Sequence, residues 1–137
     1  MRQAGVMLLI RDGLILGISR RENKAIFGLP GGKAEPGETP KQAAIRETFE
    51  ETGVRVKDCT WIYTREEPRH SPEGEDFECH CYFATEWNGE PCNSEEGEVK
   101  WLTAEELTST KAAFGNYNRN TLNIFSEMFP NIGLKGE

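Results

Sequence analysis

Three glutamates, Glu47, Glu50 and Glu51, follow one another at i, i+3 and i+4 inside the stretch Gly32 to Val54, GKAEPGETPKQAAIRETFEETGV. At roughly 100° per residue that spacing puts all three on one side of a helix. Like charges so placed repel by a few tenths of a kcal/mol per pair. Glu50 and Glu51 also stand near the end of the segment, where the helix dipole disfavours anions. Arg46 offsets part of this charge. The remainder calls for a hard divalent cation, since Mg²⁺ and Mn²⁺ prefer carboxylate oxygen. Ahead of the acids, Leu29-Pro30-Gly31-Gly32 forms a tight turn whose glycines let backbone groups come close to a metal or a phosphate. The plain alternative is an acidic, solvated helix face with no ligand.

The helix that must carry these acids is well signalled. Thr39 is its N-cap, Pro40 suits the first helical position and Gln42 completes a capping box. Gly53 is placed to end it in the left-handed conformation. Opposite the acids, Ile45, Phe49 and Thr52 are expected to form the buried side.

Taken together, Gly32, five residues, Glu38, seven residues and then Arg46-Glu47-Thr48-Phe49-Glu50-Glu51-Thr52-Gly53-Val54 resembles the signature of the Nudix hydrolases. The departure is Thr48, where an aliphatic residue is usual. Its shape is close to that of Val, so a small packing cost and no loss of chemistry are expected. The resemblance rests on 23 of 137 residues. It implies one Nudix domain over residues 1–137 with its box at 32–54. The implied fold is an α/β/α sandwich, a mixed sheet between the box helix and the C-terminal helix.

The resemblance also implies a Mg²⁺-dependent hydrolase, with Mn²⁺ a possible substitute, held by Gly32, Glu47, Glu50 and Glu51. A further ligand or base is expected from the acidic loop, where Glu95 and Glu96 are favoured and Glu98 comes next; Glu96 is carried forward as the ligand. Glu47 and Glu50 contend as general base, Arg46 holds a carboxylate in place, and Glu38 orients. Phe27 lies ahead of the Gly-Gly, where the family often has an aromatic beside the nucleotide. Asn116, before the last helix, is the candidate base reader of MutT-like members. Arg20, in the basic stretch before the box, is a candidate for a substrate phosphate or base. The implied reaction is hydrolysis of a nucleoside diphosphate linked to another group, with MutT-like conversion of a nucleoside triphosphate to monophosphate and pyrophosphate as the leading form. ADP-ribose or dinucleoside polyphosphate cleavage is the alternative; Pro68 lies 15 residues past Gly53, a spacing resembling that of ADP-ribose-cleaving members. An alternative of another class is a catalytically silent nucleotide-binding module, disfavoured because none of the three acids is lost.

Composition sets the outer bounds. A chain of 137 residues forms one domain with a real core. The net charge of −7 argues against a nucleic-acid polymer as partner but not against a small nucleotide. No apolar run approaches the length of a membrane span, and no long apolar core follows Arg2 as in a signal peptide. Cys59, Cys79, Cys81 and Cys92 lack paired metal-type spacing and read as buried reduced thiols, which implies a cytoplasmic protein. Either a monomer or a homodimer is compatible.

Around the box, Ala4–Ile10 and Leu14–Ile18 read as strands joined at Asp12-Gly13. Arg55–Thr64 and Phe77–Trp87 read as strands, with residues 65–75 as a loop between them. Glu98–Leu102 reads as a short strand and Thr103–Leu107 as a capped short helix. A C-terminal amphipathic helix is expected, capped by Asn118 or Asn120, followed by a frayed tail from Ile132.

Overall fold

Thr39 accepts a hydrogen bond from the Gln42 backbone and Gln42 returns one to the Thr39 backbone, so α1 (Pro40–Thr52) starts on a complete capping box. It ends at Gly53, whose φ of 79° is left-handed. The rest of the computed structural model, which describes residues 1–67 and 74–137, is arranged to receive this helix. In chain order the strands are β1 (Arg2–Leu8), β2 (Ile10–Arg11), β3 (Leu14–Ser19), β4 (Phe27–Gly28), β5 (Gly31–Lys33), β6 (Arg55–Glu67), β7 (Phe77–Asn88) and β8 (Val99–Leu102). Two further helices are α2 (Ala104–Thr108) and α3 (Gly115–Met128).

The principal sheet has the order β5-β1-β7-β6 and is mixed: β1 runs parallel to β7, and the other pairs are antiparallel. Alternation along β7 sends Cys79, Cys81 and Phe83 to one face and Tyr82 and Ala84 to the other. The first face packs on α3, where Phe83 meets Phe125 with ring centroids 4.9 Å apart. The second packs on Ala44 of α1. Both faces are therefore covered, giving the sandwich. A second sheet, absent from the sequence reading, is built on β3, which pairs antiparallel with β2, β4 and β8. Asp12 and Gly13 both have positive φ, as a two-residue hairpin turn requires.

The buried side of α1 differs from the expectation. Ala43, Ala44, Thr48 and Thr52 are buried, Ile45 is half-buried, and Phe49 is 44% exposed with the Arg55 guanidinium 4.4 Å from its ring centroid. Small residues face the sheet because the helix lies close on it: a Cβ at Gly5 of β1 would run into the Pro40 carbonyl. Bulk was the wrong guide here, since close approach excludes large side chains.

Other boundaries also move. Strand β6 continues to Glu67, so part of the anticipated loop is sheet. Pro68 and Pro72 lie outside the described residues. Helix α3 begins at Gly115 with Phe114 at its N-cap and no side-chain cap, so neither Asn118 nor Asn120 caps it. The tail is packed: Leu134 is buried, Lys135 donates its backbone N–H to the Gly13 carbonyl, and its own carbonyl accepts from Ala104. Of the four free cysteines three are buried; Cys92 is exposed.

Thr48 is fully buried and its hydroxyl has no hydrogen-bond partner. The packing is that of an aliphatic residue, and the cost is polar: an unsatisfied buried hydroxyl costs about 1–3 kcal/mol. Thr48→Val is expected to stabilise the protein by about 1 kcal/mol. Urea unfolding should show a higher midpoint with an unchanged slope.

Candidate active site

Helix α1 meets β5 at Gly32: of the expected turn Leu29-Pro30-Gly31-Gly32, the two glycines are strand, paired with Val6 and Gly5 of β1. A Cβ there would stand 2.7 Å from the Glu47 carboxyl carbon, so only glycine lets the carboxylate lie against the strand. One residue earlier, the Gly31 N–H donates to Glu51 Oε1 at 2.9 Å, tying the strand to the last turn of the helix. Burial, opposed by the Gly31 N–H, and the nearby Glu47 and Glu96 charges push the Glu51 carboxyl up to about 8.

Arg46 organises the outer side. Its Nε and Nη2 donate to the two oxygens of Glu38 at 2.8 and 2.9 Å. Its Nη1 donates to Glu47 Oε1 at 2.7 Å and to Glu50 Oε2 at 3.2 Å. The guanidinium, helped by the Glu35 N–H, holds Glu38 down to about 2. Glu38 is thus the carboxylate that takes both Nε and Nη2 of Arg46.

The loop from Gly89 to Gly97 folds over the end of α1. Cys92 N–H donates to the Thr52 carbonyl, and Ser94 Oγ donates to the Glu51 carbonyl at 2.8 Å. Of the three loop acids, Glu96 acts on Glu51 electrostatically, while its own carboxylate pairs with Arg21 at 2.6 Å. Glu98 lies 3.8 Å from Lys24, and Glu95 is exposed. A loop some 45 residues beyond the helix in sequence is thus brought against its C-terminal end.

These donors suit a hard cation. Glu51 and Glu47 form a withdrawn carboxyl pair whose shared charge Arg46 relieves only from the Glu47 side. Among the described residues no three acids, histidines or cysteines stand in a metal-holding arrangement, and Glu47 and Glu50 are paired with Arg46. The chemistry of the donor set, carboxylate oxygen, is that which a hard divalent cation prefers.

Beside Gly31 and Gly32 opens a cavity of about 390 Å³, walled by Val6, Leu29, Phe77 and Phe114 and bordered by Glu67 and Asn118. The predicted substrate residues distribute differently. Asn116 is exposed, accepts from Arg119 and lies with Arg20 on a neighbouring cleft. Arg20 itself pairs with Glu22. Phe27 faces another cleft, with Lys100 5.9 Å from its ring centroid. The asparagine at the main cavity is Asn118, whose amide donates to the Leu107 and Ala113 carbonyls. Sequence reasoning placed Asn118 at a helix cap. The available signal was its helical phase beside Tyr117 and Thr121, all three buried.

Comparison with known proteins agrees with this architecture. The family model of the NUDIX domain matches residues 1–122, and the chain belongs to that family. Members generally use a divalent metal and act on small nucleotide derivatives. The chain is 36% identical over 117 residues to an uncharacterised Nudix hydrolase, orf19, of Rhodococcus erythropolis, a match covering 76% of this chain and 63% of that protein. It is 29% identical over 110 residues to the 8-oxo-dGTP diphosphatase of Escherichia coli K12, covering 70% and 83%. The crystal structure of a MutT NUDIX hydrolase from Burkholderia pseudomallei superposes with a TM-score of 0.74 at 26% identity, covering 90% of this chain and 96% of that one. Among the described residues no helix is long and apolar enough to cross a membrane.

The Glu51 carboxyl holds its proton more tightly when folded than at its ordinary value of 4.5. Unfolding therefore releases that proton, and the metal-free protein is expected to lose stability as pH rises from 4.5 to about 8. Glu51→Gln removes this dependence. In chelator, its melting temperature should exceed the parent's at pH 8.5 and match it near pH 4.5. Equal melting temperatures at both values would contradict the burial of this charge.

Proposed function

We propose that the protein is a Mg²⁺-dependent pyrophosphohydrolase of a nucleoside diphosphate linked to another group, acting foremost in the MutT-like manner on nucleoside triphosphates to give monophosphate and pyrophosphate. The observation that carries this reading is the adjacency of the acid cluster to a largely apolar cavity, with Gly31 and Gly32 common to both. A base in the cavity places its phosphates across the two glycines and over α1. Relatives named as 8-oxo-dGTP diphosphatases, of which the Escherichia coli protein is one, support it.

In this reading Glu47, Glu50, Glu51, the Gly32 carbonyl and Glu96 hold the cation, with Mn²⁺ able to substitute. Bound there, such an ion neutralises charge at phosphorus and makes an attacking water more acidic. The chain's own groups do the remainder. Arg46 holds Glu47 and Glu50 side by side, braced by Glu38. Glu47, Glu50 and a glutamate of the acidic loop are the candidates for general base; of the two helix acids, Glu50 is held by the longer bonds to Arg46. The Gly31 N–H fixes the height of Glu51 against the strand. Residues 1–137 act as one domain. The four free cysteines favour a reducing, cytoplasmic setting.

The test is chromatographic product analysis with Mg²⁺ and a panel of nucleoside triphosphates, ADP-ribose and a dinucleoside tetraphosphate. Monophosphate with pyrophosphate is the expected outcome. AMP with ribose phosphate would move the assignment to ADP-ribose cleavage. Glu51→Gln is expected to lower kcat by about 10²-fold or more, as loss of an electrostatic element at a reacting centre does. Near-parental turnover by this variant would sink the proposed site.

A further inference from the structure

Glu67 is the last residue of β6, paired in the sheet with Phe77, and it lines the 390 Å³ cavity. Register places Tyr63, Arg65 and Glu67 opposite Cys81, Cys79 and Phe77, on the face that α3 covers. Tyr63 stacks at 5.2 Å on Tyr117 of that helix. The Glu67 side chain is only 12% exposed, and its buried Oε1 has no hydrogen-bond partner. Arg65 Nε stands 3.8 Å from that oxygen, beyond hydrogen-bond reach. A carboxylate oxygen withdrawn from water without a donor is costly, and a ligand's donors would relieve it.

The other polar side chains at the cavity have little left to donate. Both Asn118 amide bonds go to backbone carbonyls, so its free capacity is the acceptor Oδ1. Tyr117 spends its hydroxyl proton on the Cys79 carbonyl. Lys33, the lining cation among the described residues, lies 5.8 Å from the Phe77 ring centroid and 3.9 Å from Glu75. The inner cavity therefore pairs aromatic and aliphatic walls with side-chain acceptors. It fits a flat ligand that presents donors along one edge.

We propose that Glu67 selects the base in this cavity, its carboxylate accepting the N1–H and N2–H of a guanine-type edge. These two donors are parallel and match the fork of a carboxylate. Adenine and cytosine set one donor group beside a ring acceptor, and uracil flanks its single N–H with carbonyl oxygens, so each brings a lone pair against the carboxylate. The inference rests on the nucleotide-hydrolase reading above and adds a residue and a base class to it.

The test separates the 2-amino group from everything else. Calorimetry on the full chain in chelator would compare GMP with IMP, which lacks only that group, and with AMP, for the parent and for Glu67→Gln. The parent is expected to bind GMP at least about tenfold more tightly than IMP, since a site built for a donor rejects the analogue without it. In Glu67→Gln the GMP-to-IMP ratio should fall to about threefold or less, with the melting temperature retained. Equal binding of GMP and IMP by the parent overturns the assignment without recourse to any variant. So does an unchanged ratio in Glu67→Gln, or no GMP binding at millimolar concentration. Parallel hydrolysis of dGTP and dITP keeps the two readings apart. Discrimination in binding without turnover would remove the hydrolase and leave Glu67 as base selector. Turnover without discrimination would do the reverse.

Discussion

Four carboxylates converge on the Arg46 guanidinium, those of Glu35, Glu38, Glu47 and Glu50. One positive charge cannot neutralise them all. Glu38 takes the bidentate face, and that fixes the plane of the fork. With the plane fixed, Nη1 is the atom left for the helix acids. Partial exposure limits what each pair adds to stability, so the value of the clamp is positional. It keeps two acids of α1 together at the point where the helix meets β5.

Close approach is the second constraint, and it follows from the first. For Glu47 to lie against β5, Gly32 must lack a side chain; for α1 to reach that depth, Gly5 must lack one too. The helix then offers the sheet only Ala43, Ala44, Thr48 and Thr52. Thin packing there is compensated on the opposite face, where Phe83, Phe125 and Phe129 form an aromatic layer with centroids about 5 Å apart. The sandwich is asymmetric: a close-lying helix carries the acids, and a thickly packed one walls the 390 Å³ cavity.

What could be read in advance divides along the same line. The box helix, its two caps and its acids were legible because they depend on local spacing and local hydrogen bonds. The same holds for the Asp12-Gly13 turn and the Thr103 cap of α2. Phe49 was misjudged because amphipathicity ranks side chains by bulk, while burial here is decided by the distance between backbones. Neither Asn118 nor Asn120 caps α3, because the helix starts at Gly115 with no side-chain cap to mark it. A shift of two residues in the start of a helix turns a side chain by about 200°. The tail was read as frayed because its anchors, Gly13 and Ala104, are remote in sequence.

Glu67 belongs to this second, non-local category. In sequence it is one acid in a charged run, Arg65-Glu66-Glu67, with nothing to distinguish it from its neighbour. The β-bulge between Trp61 and Tyr63 resets the alternation of β6. Beyond it Tyr63, Arg65 and Glu67 share the face of Cys79 and Cys81, and Glu66 turns outward to solvent. A one-residue change in that bulge would exchange the two acids and put Glu66 at the cavity. The sheet irregularity and the unpartnered oxygen therefore describe one arrangement. The acids of α1 lie on one side of β5, and on the other a bulged strand delivers a carboxylate to the cavity.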